Sequence, residues 1–235
     1  MGQHGQYRAL VRIAALLPAV AGLAVGAGPA SACRLALLLA LDVSSSVDDI
    51  EDRLQRTGLA AALIAPEVQA AFLSGGEPVA LSAFEWSGRD AHATLLDWTL
   101  IQSAEDLTAA AETMARSVRV RDDLPTALGW AMGDAAARLA RAPRCLQATI
   151  DVSGDGVNNE GFPPRIAYRH FPLEGVAVNA LAIGGGAELS DWYRGEVIRG
   201  PGAFVEVARN YADFERAMRR KLEREVAARA IGLVR

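Results

Sequence analysis

Histidine and cysteine are scarce in this chain, at three and two of 235 residues. His4, His92 and His170 lie far apart, so neither a Ser-His-Asp nor a Cys-His pairing can be drawn, and a zinc centre would be short of ligands. No acidic residue precedes Cys33. After Cys33 there is no internal repeat and no low-complexity linker, and the Gly184-Gly185-Gly186 run lacks both G-x-G-x-x-G spacing and a P-loop lysine, which makes it a plain strand-to-helix turn. A strong charge of either sign is also missing. The formal net charge is -4, and without Arg8 and Arg12 the remainder carries 22 basic against 28 acidic residues, a poor balance for nucleic acid.

What is present is apolar: 51% of the residues are hydrophobic and 22% charged, enough for one sizeable domain with a full core. Arg8 and Arg12 precede an uncharged stretch from Ile13 to Ala27, then Ala30-Ser31-Ala32 before Cys33. This is the layout of a secretory signal peptide over residues 1–32, removed on export to the periplasm or the extracellular space, with one domain over 33–235 and no membrane span left after cleavage.

Export places the cysteine pair where disulfides persist. Each cysteine stands before an apolar run ending in an aspartate, nine residues from Cys33 to Asp42 and ten from Cys145 to Asp155. Parallel neighbouring strands in near-register would bring the two sulfurs together, so a Cys33–Cys145 disulfide is expected. The alternative is lipidation of Cys33, which excludes that bridge.

Apolar runs alternate with amphipathic stretches, the signature of an α/β fold with a mostly parallel sheet between helical layers. Strands are expected at Arg34–Leu41, Pro78–Phe84, Ala93–Trp98, Gln147–Val152, Val176–Ile183 and Ala203–Val207. Helices are expected at Val47–Leu73 with a break near Pro66, then at Ser103–Val118, Thr126–Ala140, Pro163–Phe171, Leu189–Arg199 and Asn210–Ala230. The short Phe84-to-Ala93 connection makes Ala93–Trp98 the one antiparallel strand, at an edge. In the last helix Phe214, Met218, Leu222 and Val226 form an apolar stripe, with Arg219, Arg220 and Lys221 expected on a solvated face.

The first strand ends in Asp42-Val43-Ser44-Ser45-Ser46. Asp42, Ser44 and Ser46 alternate, so their oxygens can converge while Val43 and Ser45 point elsewhere. One carboxylate with hydroxyls suits a hard divalent cation such as magnesium. Ser46 also reads as a helix N-cap, and Thr126 is free to cap the Ala-rich helix after it or to reach the same rim. Asp155, between Gly154 and Gly156 at the end of another apolar strand, would sit beside Asp42. Glu85 and Trp86, near that rim, are expected to be a solvated acid beside a structural aromatic, and Asn158, Asn159 and Glu160 have no assigned role.

Asp42-x-Ser44-x-Ser46, Thr126 in T-x-L-G-x-A and Asp155 in G-D-G together resemble the metal-ion-dependent adhesion site of von Willebrand factor type A domains. The resemblance runs from Cys33 to about Ala230 and looks closest to an uncharacterised group of exported bacterial proteins. It implies a three-layer, six-stranded Rossmann-like fold. It also implies Ser44, Ser46 and Thr126 as direct ligands of Mg2+, or of Mn2+ or Ca2+, with Asp42 and Asp155 acting directly or through water. One coordination position would be left for an Asp or Glu of a protein partner, in a protein that is not an enzyme. There are two departures: Pro125 stands where a glycine is usual, and Ser153-Gly154 precede Asp155 where a threonine usually does, leaving Asp122 or Asp123 as an alternative acidic neighbour. Two other functions compete, a metal-dependent phosphohydrolase on the same acidic rim and a degenerate structural domain that holds no ion.

Overall fold

The strand expected at Arg34–Leu41 runs as β1 (Cys33–Asp42), one residue longer at each end, and every one of its residues is buried. A strand with no polar face can be stable only with helices on both sides and other strands on both edges. The computed structural model describes residues 1–2 and 33–231, with side chains of the last helix described as far as Ala227. The Ile13-to-Ala27 stretch and the cleavage site expected at Ala30-Ser31-Ala32 lie outside the described residues. Among the described residues no helix is long and apolar enough to cross a membrane.

Five further strands follow: β2 (Val79–Ser87), β3 (Ala91–Ile101), β4 (Cys145–Gly154), β5 (Ala177–Ile183) and β6 (Val205–Ala208). They form one sheet in the order β3-β2-β1-β4-β5-β6, in which only β3 is antiparallel. The expected edge strand is present and extends beyond Ala93–Trp98 at both ends. Because the chain leaves β1 first toward β2 and later returns to its other side as β4, the carboxyl ends of β1 and β4 flank the topological switch point, where open α/β sheets bind ligands.

The helices are α1 (Asp49–Leu63), α2 (Pro66–Leu73), α3 (Ala104–Ala115), α4 (Leu128–Leu139), α5 (Pro164–His170), α6 (Gly186–Glu196) and α7 (Phe214–Ile231). Pro66 takes the first-turn position of α2, where its missing N–H costs nothing, so the helix breaks there as expected. One core layer joins Leu37, Leu39 and Leu41 of β1 to α1, α2, α3 and α7. The other joins Leu38 and Ala40 to α4 and α6.

Cys33 and Cys145 are direct partners in the β1–β4 register and are disulfide-bonded, with their Cα atoms 4.5 Å apart. The bridge clamps the amino ends of the two strands whose carboxyl ends carry Asp42 and Asp155.

The apolar stripe of α7 packs into the core as expected, but its neighbour Lys221 does not lie on a solvated face. Lys221 is fully buried, paired with Asp151 of β4 and with Glu225 at 2.8 Å. Asn179 of β5 completes the cluster by donating to Glu225 Oε1 at 2.6 Å. Residues 221 and 225 lie one heptad after Phe214 and Met218, so they share the buried side of the helix. Burial, and then the Asp151 carboxylate, raise the Glu225 carboxyl to about 8.

Candidate metal centre

Asp42 ends β1 with Trp86 of β2 as its register partner on one side, and on the other it lies against Gly154 of β4, just past the Leu41–Ser153 pair. Its side chain is fully buried. Oδ1 accepts the Ser44 N–H at 2.8 Å, and Gln55 of α1 donates to its backbone carbonyl at 2.9 Å. Oδ2 has no hydrogen-bond partner. An unmatched buried carboxylate oxygen is costly. Burial, followed by the nearby Asp155 charge, raises the Asp42 carboxyl to about 7. Gly154 makes the room: a Cβ there would come within 2.8 Å of Asp42 Oδ2 and 2.5 Å of the Tyr193 hydroxyl.

The three hydroxyls gather beside this carboxylate. Ser44 Oγ lies 3.1 Å from Ser46 Oγ, and Thr126 Oγ1 donates to Ser44 Oγ, also at 3.1 Å. Ser46 in turn donates to Asp155 Oδ1 at 2.6 Å. All five residues named from the sequence therefore meet at one rim. Ser44 and Thr126 are buried while Ser46 and Asp155 open to solvent, which leaves the cluster accessible from one side.

Neither hydroxyl caps a helix. Asp48 caps α1, accepting from the Ile50 and Glu51 N–H groups at 2.7 and 2.8 Å while Glu51 returns to the Asp48 N–H. Asp48 and Glu51 thus close a capping box, while the Ser46 hydroxyl is turned away from the helix toward Asp155. The α4 helix begins at Leu128, past Thr126.

A donor set of three hydroxyls and two carboxylates fits a hard cation. Oxygens at neighbouring corners of an octahedron around a magnesium-sized ion lie about 2.9 Å apart, given metal–oxygen distances of about 2.0–2.1 Å. The two hydroxyl separations of 3.1 Å are close to that value and longer than the usual O–H···O bond. Among the described residues no group of three or more His, Cys, Asp or Glu is placed to hold a metal, so any ligation here would depend on the hydroxyls.

Thr126 sits on the loop between α3 and α4, and several bonds fix that loop. The Leu124 carbonyl accepts the Ser45 N–H at 2.8 Å, and the Pro125 carbonyl accepts the Gly88 N–H at 2.7 Å, so the proline leaves Thr126 at the rim. Asn159 Oδ1 accepts the Thr126 N–H at 2.9 Å, and Asn158 Oδ1 accepts that of Gly129 at 3.1 Å. These two asparagines are the missed residues of the site. Two successive side-chain amides after G-D-G, where an ordinary turn needs one, were their signal. Asp122 and Asp123 are exposed, and Asp123 pairs with Arg121 at 2.8 Å.

Glu85 is not the solvated acid expected. It is buried, ion-paired to Arg56 of α1 at 2.5 Å, and accepts the Val120 N–H of the same loop at 2.9 Å. Arg56 also binds Asp52 at 3.0 Å. This buried network anchors the Thr126 loop to α1.

Two tyrosines back the site. Tyr193 of α6 is fully buried, and Tyr211, in a 3-10 turn before α7, is nearly so. Burial first, and the Asp42 and Asp155 charges after it, hold both phenols well above their ordinary value, so they remain protonated. Gly184, Gly185 and Gly186 all adopt positive φ in the turn that starts α6, consistent with a turn and no more.

Solved structures share this architecture. Proximal thread matrix protein 1 from the mussel byssus, with a zinc-occupied MIDAS motif, superposes with a TM-score of 0.59 at 17% identity, over 85% of this chain and 48% of that one. A von Willebrand factor type A protein from Catenulispora acidiphila gives 0.55 at 18% identity, over 84% and 43%. The pilus adhesin SpaC from Lactobacillus rhamnosus GG gives 0.59 at 14% identity, over 83% and 31%. The chain thus spans about half the length of the mussel protein, and at such identities the likeness speaks for the fold, which is that of a von Willebrand factor type A domain. No curated protein matches the chain. A family model matches residues 32–230, and on that match the chain belongs to the family described as "Protein of unknown function (DUF1194)".

Proposed function

We propose that the protein is an exported, cation-dependent protein-binding module of the cell envelope. Ser44, Ser46 and Thr126 would hold one Mg2+ or Mn2+, with Asp42 and Asp155 as direct or water-bridged acids. Asp42 Oδ2 carries this reading: it is buried without a partner beside three convergent hydroxyls. A divalent ion bound mainly through neutral hydroxyls keeps enough positive charge to attract an incoming carboxylate. The chain's own residues shape that encounter. Ser46 and Asp155 stand at the open side, while Asp42, Ser44 and Thr126 form the closed floor.

Two likenesses support the reading, a fold relative solved with zinc in its MIDAS motif and another that is a pilus adhesin. The disulfide fits an oxidising compartment, in keeping with cleavage before Cys33 and a mature domain from that residue onward. The partner would be a protein that presents an exposed Asp or Glu, and the protein would bind without catalysing a reaction.

Thermal unfolding in magnesium and in chelator tests this. At a hundredfold over its dissociation constant the ion should add about 2.7 kcal/mol, and Asp42→Ala should lose that gain without losing the fold. Equal melting with and without ion in the wild type would remove the proposal.

A further inference from the structure

Asp42 Oδ2 and the Tyr193 hydroxyl press against the same bare face of Gly154, 2.8 and 2.5 Å from where a side chain would begin. The first is a buried acceptor with no donor. The second is a buried donor whose one assigned acceptor, the Gly156 carbonyl, lies 3.4 Å away, near the outer limit of a hydrogen bond. Each lacks what the other offers. The site therefore contains a matched pair of underused polar atoms, brought together from β1 and α6 by the absence of a Cβ on β4.

We infer that Tyr193 is a positioning residue for the cation site: its hydroxyl holds the second oxygen of Asp42 through one buried water and fixes the carboxylate in its ion-binding orientation. This rests on the function proposed above. Asp42 is then held on three sides: Ser44 N–H on Oδ1, Gln55 on the backbone carbonyl, and Tyr193 on Oδ2. Groups that orient a metal ligand without touching the metal commonly change affinity by 10- to 100-fold when removed.

Tyr193→Phe deletes the hydroxyl and keeps the ring that packs in the core. Manganese affinity is measured by titration in wild type, Tyr193→Phe and Tyr168→Phe, with melting in chelator for each. Tyr168 is a control, since its hydroxyl bonds to the Val197 carbonyl away from the site. The expected result is a loss of about 10-fold or more in manganese affinity in Tyr193→Phe alone, with its ion-free melting close to wild type. Unchanged affinity overturns the role of Tyr193 and leaves the cation site standing. An affinity loss matched by an equal loss of ion-free stability, or shared by Tyr168→Phe, also overturns it, because packing would then be the cause. A wild type that takes up no manganese removes the cation site itself, and this inference with it.

Discussion

Replacing Cys33 and Cys145 together with alanine is expected to lower stability by about 4 to 5 kcal/mol, the loop-entropy contribution of a bridge closing a loop of about 100 residues. The two cysteines are 112 positions apart, so the unfolded chain gains a great deal of freedom when they are released. The loss has a local side as well. Cys33 and Cys145 are paired at one end of β1 and β4, and the same register sets Leu41 opposite Ser153 at the other, with Asp42 against Gly154 just beyond. A slip of one residue would turn every side chain of β1 to the opposite face. Denaturant titration of the double variant beside the oxidised wild type measures the effect, and equal midpoints with equal slopes would contradict it.

The second large effect belongs to Lys221. Lys221→Met is expected to cost about 3 to 5 kcal/mol, because it leaves Asp151 and Glu225 as two acids in a dry core with no cation between them. Burial opposes the Lys221 charge, yet Asp151 first and then Glu225 outweigh it and raise the amine above its usual value, so wild type keeps the Lys221–Asp151 ion pair across the ordinary pH range. Glu225 gives the cluster a pH dependence with a definite sign. Its folded carboxyl lies at about 8, above the ordinary 4.5, so the folded state favours the protonated form. The stability contributed by that proton is complete below about 4.5 and is lost as pH rises through about 8. Glu225→Gln keeps a neutral group of the same shape and should abolish this decline between pH 5 and 8. Melting curves across that range decide it, and parallel profiles for the two proteins would contradict the assignment.

The fold was legible where one physical demand dominated. An unbroken aliphatic run such as Leu35–Leu41 can only be a strand covered on both faces, and the short turn before Ala93 left little choice but a hairpin. The cysteine spacing was readable because parallel strands in register keep equal distances along the chain. Helix ends were less legible: Ser46, with Asp49 three residues on, reads as a cap, yet the helix is capped later, by Asp48 with Glu51, because the Ser46 hydroxyl is taken by Asp155.

Buried charge was the part that pattern could not deliver. Lys221, Glu225, Asp151, Glu85 and Arg56 each look solvated when taken singly, because a charge belongs outside unless a partner from a distant segment is waiting for it. The hint was positional: Asp151 sits between Ile150 and Val152 in a central strand, and Lys221 and Glu225 fall at heptad spacing from core residues. At the rim, the sequence named five oxygen-bearing residues, and the structure brings them together. Tyr193, Asn158 and Asn159 escaped because their roles depend on where α6 and the loop after Asp155 come to rest.

Manganese paramagnetic resonance on the protein and on Asp42→Ala tests the central claim most directly, since the bound and free ion are counted separately. The account predicts one manganese per wild-type chain, displaced by magnesium, and none held by Asp42→Ala at the same concentrations. A wild type that leaves all the manganese free, or an Asp42→Ala that holds it equally well, would contradict it.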